Sequence, residues 1–319
     1  MRAKIDEHPM SSLNQTGLAR CERLLASADS LGVSLSTIGE SRIVDCGIDA
    51  RGGIEAGLAL AEVCLAGRGR VAVTPADDGP RVTVATDEPL AACMQSQYAG
   101  WKIAQGDFFA MGSGPMRAAA GSEAIFQEIG GIEVVDDAIG VLETSAALTE
   151  SVCRSVADAC GVAASQLTLL VAPTASIAGS LQVVARSVET ALHKLHELGF
   201  DLGRVVSGYG SAPLAPVAAN DLAGIGRTND AVLYGGDVLL WVRGDDASLR
   251  EIGPLTPSKA SRDYGEPFGD VFKSYNYDFY EVDPHLFSPA VVRFCNVDTG
   301  LYLAFGELRP DILARSFSS

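Results

Sequence analysis

The chain has 319 residues, 47% hydrophobic and 20% charged, which is enough to bury a large core and excludes a largely disordered protein. Its 24 basic against 40 acidic residues leave a formal charge of -16. That balance lacks the basic stripe that nucleic-acid binding requires and disfavours docking on an anionic membrane surface.

In chain order, Met1 to Met10 is charged and has no apolar signal core, and no uncharged apolar stretch approaches the length of a membrane span. A cytosolic protein is expected. Leu13, Leu18, Cys21, Leu24, Leu25 and Ala28 recur at helical spacing, and Gly32 stops that helix. Arg42 to Ile48 reads as a short strand, and Gly52-Gly53 opens a helix with Ile54, Leu58, Ala61 and Leu65 on one face. Two β-branched runs, Arg70 to Thr74 and Arg81 to Thr86, are joined through Ala-Asp-Asp-Gly, a hairpin signature. A further helix is expected from Glu88 to Lys102. Gly106 to Pro115 is too rich in glycine for a regular element and is read as a tight functional loop. Ala138 to Leu142 is a strand, Thr149 to Ala159 a helix stopped by Gly161, and Leu167 to Ala172 a buried strand ending at Pro173. Val291 to Leu308, with Asn-Val-Asp-Thr-Gly at its middle, reads as a terminal hairpin.

Strands and helices in alternation predict an α/β fold, with hairpins making the sheets mixed. A boundary near Thr144 to Ser151 divides the chain into 1–148 and 149–319, with the hairpin of 290–319 free to return to the first part. The seven scattered cysteines show no zinc spacing and are read as small core residues of a reducing compartment.

The stretch Ala175 to Gly199 is expected to be helical. Val184, Val188, Ala191, Leu195 and Leu198 form its apolar stripe, while Arg186, Glu189 and His193 share the opposite face. A glutamate beside an arginine and within reach of a histidine has the makings of an oriented base. Spacing alone fits a solvated helix face with one weak i,i+3 ion pair better. His193 and His196 lack the spacing and third ligand of a helical zinc motif, so no metal is expected. His285, in Asp283-Pro284-His285, is either a catalytic histidine or part of a capped turn. The glycines of Gly112 to Gly114, Gly208 to Gly210 and Gly235-Gly236 match neither the phosphate loop nor the dinucleotide fingerprint, but polar residues stand beside them: Asp107, Arg227, Asn229, Asp230 and Asp263. A transferase using these loops on a phosphate-bearing substrate stays open at this point.

The segments Ile43 to Leu58, Gly106 to Ala118, Leu170 to Gly199, Gly208 to Pro216, Gly226 to Gly236 and Asp278 to Pro289 resemble methenyltetrahydromethanopterin cyclohydrolases. Most specific are Ala-Pro-Thr-Ala-Ser-Ile-Ala-Gly-Ser, Gly-Arg-Thr-Asn-Asp-Ala and Asp-Pro-His-Leu-Phe. The resemblance implies a cytosolic homotrimer of two α/β domains with a pterin substrate in the cleft between them, working without metal or organic cofactor. It implies reversible hydrolysis of 5,10-methenyltetrahydromethanopterin to the 5-formyl form in one-carbon metabolism. The family's Arg-x-x-Glu matches Arg186 and Glu189, which makes Glu189 the expected base and Arg186 its orienting partner. Expected substrate contacts are Asp107, Phe109, Met111, Ser113, Arg117, Ser176, His193, Tyr209, Arg227, Asn229, Asp230 and His285. Phe108, Phe109 and Met111 are expected to pack on the pterin, with core packing as the alternative, and Arg117 and Arg227 to meet an acidic tail. A pterin-binding protein without catalysis is the other reading.

Overall fold

The computed structural model describes residues 11–279 and 281–318. The charged start Met1 to Met10 lies outside them. Its strands are β1 (Ser34–Ile38), β2 (Ser41–Asp45), β3 (Arg70–Thr74), β4 (Arg81–Thr86), β5 (Trp101–Gln105), β6 (Phe108–Ser113), β7 (Ala138–Glu143), β8 (Leu167–Ala172), β9 (Val205–Pro213), β10 (Asp237–Val242), β11 (Val291–Asn296) and β12 (Tyr302–Gly306). Its α-helices are α1 (Leu13–Leu25), α2 (Ala28–Leu31), α3 (Ile54–Cys64), α4 (Met116–Ala120), α5 (Ile125–Ile129), α6 (Glu150–Cys160), α7 (Ile177–Val184), α8 (Ser187–Glu197), α9 (Asp221–Leu233), α10 (Asp246–Ile252), α11 (Phe268–Ser274) and α12 (Pro310–Ser318), with a π-helix at Leu90–Gln97. No described helix is long and apolar enough to cross a membrane.

The strands form two mixed six-stranded sheets, β1-β2-β8-β7-β6-β5 and β12-β11-β10-β9-β4-β3, so the α/β expectation holds. In the first, β2, β8 and β7 run parallel and the outer pairings are antiparallel. In the second, only β10 and β11 are parallel. Each sheet draws strands from both sides of residues 148 and 149, because β8 lies between β2 and β7 while the β3–β4 hairpin pairs with β9. The terminal hairpin β11–β12 joins β10.

A parallel strand in mid-sheet is covered on both faces and therefore reads as a continuous apolar run. In β8, Leu167, Leu169 and Val171 pack with Val152, Val156 and Ala157 of α6, while Leu170 and Ala172 pack with Leu24 of α1 and Leu60 and Val63 of α3. The predicted α6 signals are realised, with Thr149 accepting from the Val152 N–H and Gly161 in the left-handed conformation. On the second sheet Val84, Val238, Leu240 and Phe294 meet Val188, Ala191, Leu192 and Leu195 of α8.

Four expectations change, and first the helix expected to run to Gly32 breaks at Ala26 and Ser27 into α1 and α2. Gly106 to Pro115 is not an irregular loop, because β5 and β6 form a hairpin whose turn holds Gly106 and Asp107. The alternation of buried Phe108 and Ala110 with half-exposed Phe109 is a strand pattern masked by the glycines. The helix expected from Glu88 to Lys102 ends at Gln97 as the π-helix, because Trp101 onward is drawn into the sheet as β5. Ala175 to Gly199 is two helices, broken at Ala185 and Arg186.

Candidate active site

The break between α7 and α8 places Arg186 just before the first turn of α8 and turns its guanidinium back along α7. Its Nη2 donates to Gln182 Oε1 at 3.1 Å and to Ser113 Oγ at 3.4 Å. Gln182 Nε2 donates to Glu143 Oε2 at 3.3 Å, and the Thr174 hydroxyl donates to the other oxygen of Glu143. Glu143 and Thr174 stand at the carboxyl ends of adjacent parallel strands, where open α/β sheets commonly place their sites. Cys64 Sγ completes the cluster, 3.6 Å from Ser113 Oγ and 3.7 Å from Gln182 Oε1.

The approach of α7 explains much of the Ala-Pro-Thr-Ala-Ser-Ile-Ala-Gly-Ser block. Ser176 caps the helix, accepting from the Gly179 N–H at 2.9 Å and donating to Pro173 O at 2.8 Å. Gly179 passes so close that an added Cβ would lie 1.9 Å from Pro173 O. The next element is tied in by Asp221 of α9, which accepts from the Ala175 N–H at 2.8 Å.

Glu189 lies in the first turn of α8 and is only 3% exposed. Among the described residues, no hydrogen bond or ion pair reaches its carboxylate. Burial pushes its pKa up to about 7, against the opposing pull of Arg186 and Arg117. The competition between desolvation and the arginines is thus decided for desolvation. The surrounding wall comes from the π-helix, which packs on α8, and from Arg117 of α4. Arg117 is fully buried, paired with both oxygens of Glu123 at 2.7 and 2.9 Å, and donates to Met94 O at 2.8 Å. Its guanidinium lies 4.9 Å from the Tyr98 ring centroid, whose other neighbour is His193, stacked at 4.9 Å. Burial pulls the His193 pKa down.

Two parts of the spacing-based picture are therefore corrected. Arg186 and Glu189 do not sit on a solvated face, being 7% and 3% exposed. They also form no direct ion pair, because the break in the helix sends the guanidinium to Gln182 and Ser113 instead. Arg117 has no opening toward a substrate tail; Glu123 and backbone carbonyls occupy its guanidinium.

The remaining candidates are dispersed. Ser113 belongs to the cluster around Arg186, Ser176 is the cap of α7, and His193 belongs to the wall beside Glu189. Phe109, half exposed, and Met111 share one face of β6, while Asp107 sits at the far turn beside a surface depression lined by Gln105, Ala146 and Thr149. Tyr209 projects from the face of β9 opposite α8, since its neighbours Gly208 and Gly210 are the residues that meet Val188 and Ser187. On α9, Arg227 donates to Val217 O at 3.1 Å and Asn229 to Ile225 O at 2.8 Å. Asp230 is buried, accepts from the Phe268 N–H at 2.8 Å, and has its pKa raised by burial to about 7. His285 sits in the capped turn, its backbone N–H donating to Asp283 Oδ1 at 3.1 Å, with Nδ1 buried and without a partner among the described residues.

Sequence reasoning missed Glu143, Gln182, Tyr98 and the fully buried Lys194, whose Nζ donates to His285 O at 2.7 Å and fastens that turn to α8. Glu143, Tyr98 and Lys194 carry no local signal, because their partners are distant in the chain, and the contact of Gln182 with Arg186 four residues on gains its meaning only once Glu143 is beside it. Among the described residues, no group of three or more histidine, cysteine or acidic side chains is arranged to hold a metal.

A family model described as Cyclohydrolase (MCH) matches residues 12–317. A methenyltetrahydromethanopterin cyclohydrolase of Rhodopirellula baltica is 48% identical over 290 residues, covering 88% of this chain and 87% of its own. A protein of the same description from Xanthobacter autotrophicus is 46% identical over 319 residues, covering 97% and 95%. Another from Methanosarcina barkeri is 40% identical over 316 residues, covering 97% and 98%.

Proposed function

We propose that this chain, which belongs to the cyclohydrolase (MCH) family, reversibly hydrolyses 5,10-methenyltetrahydromethanopterin to the 5-formyl form, with Glu189 as general base. The observation that carries the role of Glu189 is a buried carboxylate without a hydrogen-bond partner among the described residues, its pKa lifted to about 7 by burial. A base is most effective when its pKa lies near the working pH.

The methenyl carbon lies between two nitrogens that share a positive charge, so it is electrophilic before the enzyme acts. The protein's task is to place a water and accept its proton. Glu189 takes that proton as the water oxygen bonds to the carbon. As the carbon–nitrogen bond at N10 breaks, the departing nitrogen receives that proton, the adduct's hydroxyl releases its own proton to solvent on becoming the carbonyl, and the formyl group stays on N5. The cationic substrate favours the ionised carboxylate, so its arrival draws the Glu189 pKa down toward the active form. Arg186 acts beside Glu189 through its field and as a donor toward the reacting oxygen. Phe109 and Met111 are proposed to pack on the pterin, and Ser113, Ser176 and His193 to line its place.

We further infer that each sheet with its helices forms one domain, discontinuous in sequence, with the substrate between the two, and that the chain assembles as a homotrimer in the cytosol. The test of function follows loss of the methenyl-pterin chromophore in chelator and without added cofactor, corrected for spontaneous hydrolysis. Protein-dependent loss supports the assignment. Binding without acceleration would replace it by a non-catalytic pterin-binding role, and activity abolished by chelator would reopen the phosphate-substrate transferase, which needs a metal-binding carboxylate pair.

A further inference from the structure

We propose that Glu143 and Gln182 are positioning residues for Arg186, a polar relay that fixes which nitrogen of the guanidinium meets the reacting oxygen. The inference rests on reading Arg186 and Glu189 as the catalytic pair.

The relay has a fixed polarity. An ionised carboxylate only accepts hydrogen bonds and a guanidinium only donates them. Between them stands Gln182, 1% exposed, whose amide must offer its nitrogen to Glu143 and its oxygen to Arg186. Rotating the amide by half a turn would set oxygen against carboxylate and NH2 against guanidinium, so both ends enforce one orientation. The Thr174 hydroxyl holds the remaining oxygen of Glu143, and Cys64 Sγ adds a weak contact to Gln182 Oε1 at 3.7 Å. The consequence falls on Arg186. Nη2 is taken by Gln182 and Ser113, whereas Nε is buried without a hydrogen-bond partner among the described residues. A buried donor left open costs free energy unless something fills it, and Glu189 stands one helical turn away on α8. The relay fixes the plane of the guanidinium, and with it the nitrogen offered to the water oxygen that becomes the formyl oxygen.

A polarity exchange tests this. Gln182→Glu alone sets two carboxylates against each other. Its kcat is expected to fall on the order of 10- to 100-fold, with KM little changed and partial recovery as the pH is lowered and one carboxyl is protonated. Adding Glu143→Gln restores a donor facing an acceptor at each link, so the double variant should recover most of the lost kcat. Should Gln182→Glu fail to fold by circular dichroism, Glu143→Gln alone reads the same relay through a loss of roughly fivefold in kcat. Unchanged kcat in Gln182→Glu, or a double variant no better than the single one, overturns the relay. Wild-type turnover in Glu189→Gln would instead overturn the catalytic reading beneath it, whatever the exchange shows.

Discussion

Replacing Glu189 with glutamine keeps the shape of the side chain and removes its charge, and the burial of this residue makes two opposite effects calculable. The climb of its pKa from 4.5 to about 7 means that the folded protein holds a proton the unfolded chain releases. Stability contributed by the neutral carboxyl is therefore complete below the unfolded value and is lost as the pH rises through the folded one. At about 1.4 kcal/mol for each tenfold change, the penalty in the wild type grows by roughly 2.5 kcal/mol between pH 5 and pH 8. Glu189→Gln never pays it. Urea unfolding at fixed protein concentration should show the variant gaining on the wild type by about that much across this range. Turnover should move the other way, falling by about a hundred- to ten-thousand-fold with the loss of a positioned base. In the wild type, kcat/KM should rise with pH on a limb centred near 7. A limb centred on an ordinary carboxylate value, or a variant whose stability advantage is the same at pH 5 and pH 8, would refute the assignment of a desolvated base.

Other expectations follow from the surrounding structure. Gly179→Ala forces a Cβ to within 1.9 Å of Pro173 O, so α7 must shift; a loss of about 1–3 kcal/mol in unfolding experiments is expected, with a fall in kcat because Gln182 and Arg186 move with the helix. Asp45 accepts from the N–H groups of Gly47, Ile48, Asp49 and Ala50 at 2.7 to 2.8 Å. Burial opposes its charge, yet these four donors hold its pKa below the ordinary value. Asp45→Asn, with one acceptor oxygen instead of two, should cost about 2 kcal/mol at neutral pH. That cost should shrink as the pH falls through the lowered folded value, where the wild-type carboxylate is protonated; equal costs at pH 3 and pH 7 would contradict the explanation. Finally, a charge of -16 on every copy makes the proposed trimer sensitive to screening. Sedimentation should show dissociation at low ionic strength and recovery in salt.

Element types were widely legible in the sequence because they depend on short-range chemistry. The hairpin β3–β4, the buried run of β8 and the capped helix α6 carry their signals within a few residues. The Gly106 to Pro115 segment was misread because glycine composition concealed a two-residue alternation that matters only once β5 is its neighbour. The Arg-x-x-Glu at Arg186 and Glu189 was visible as a family resemblance and ambiguous as a spacing. Periodicity shows that residues share a helical face, but not what lies opposite that face. Tertiary structure decided that the face is buried, that the helix breaks beside Arg186, and that burial prevails over two arginines at Glu189. It also brought Glu143 to Gln182, 39 residues apart, and Ser113 to Arg186, 73 apart. Local propensity acts over a turn or a strand, whereas desolvation and hydrogen-bond polarity depend on groups that meet only when the sheets close.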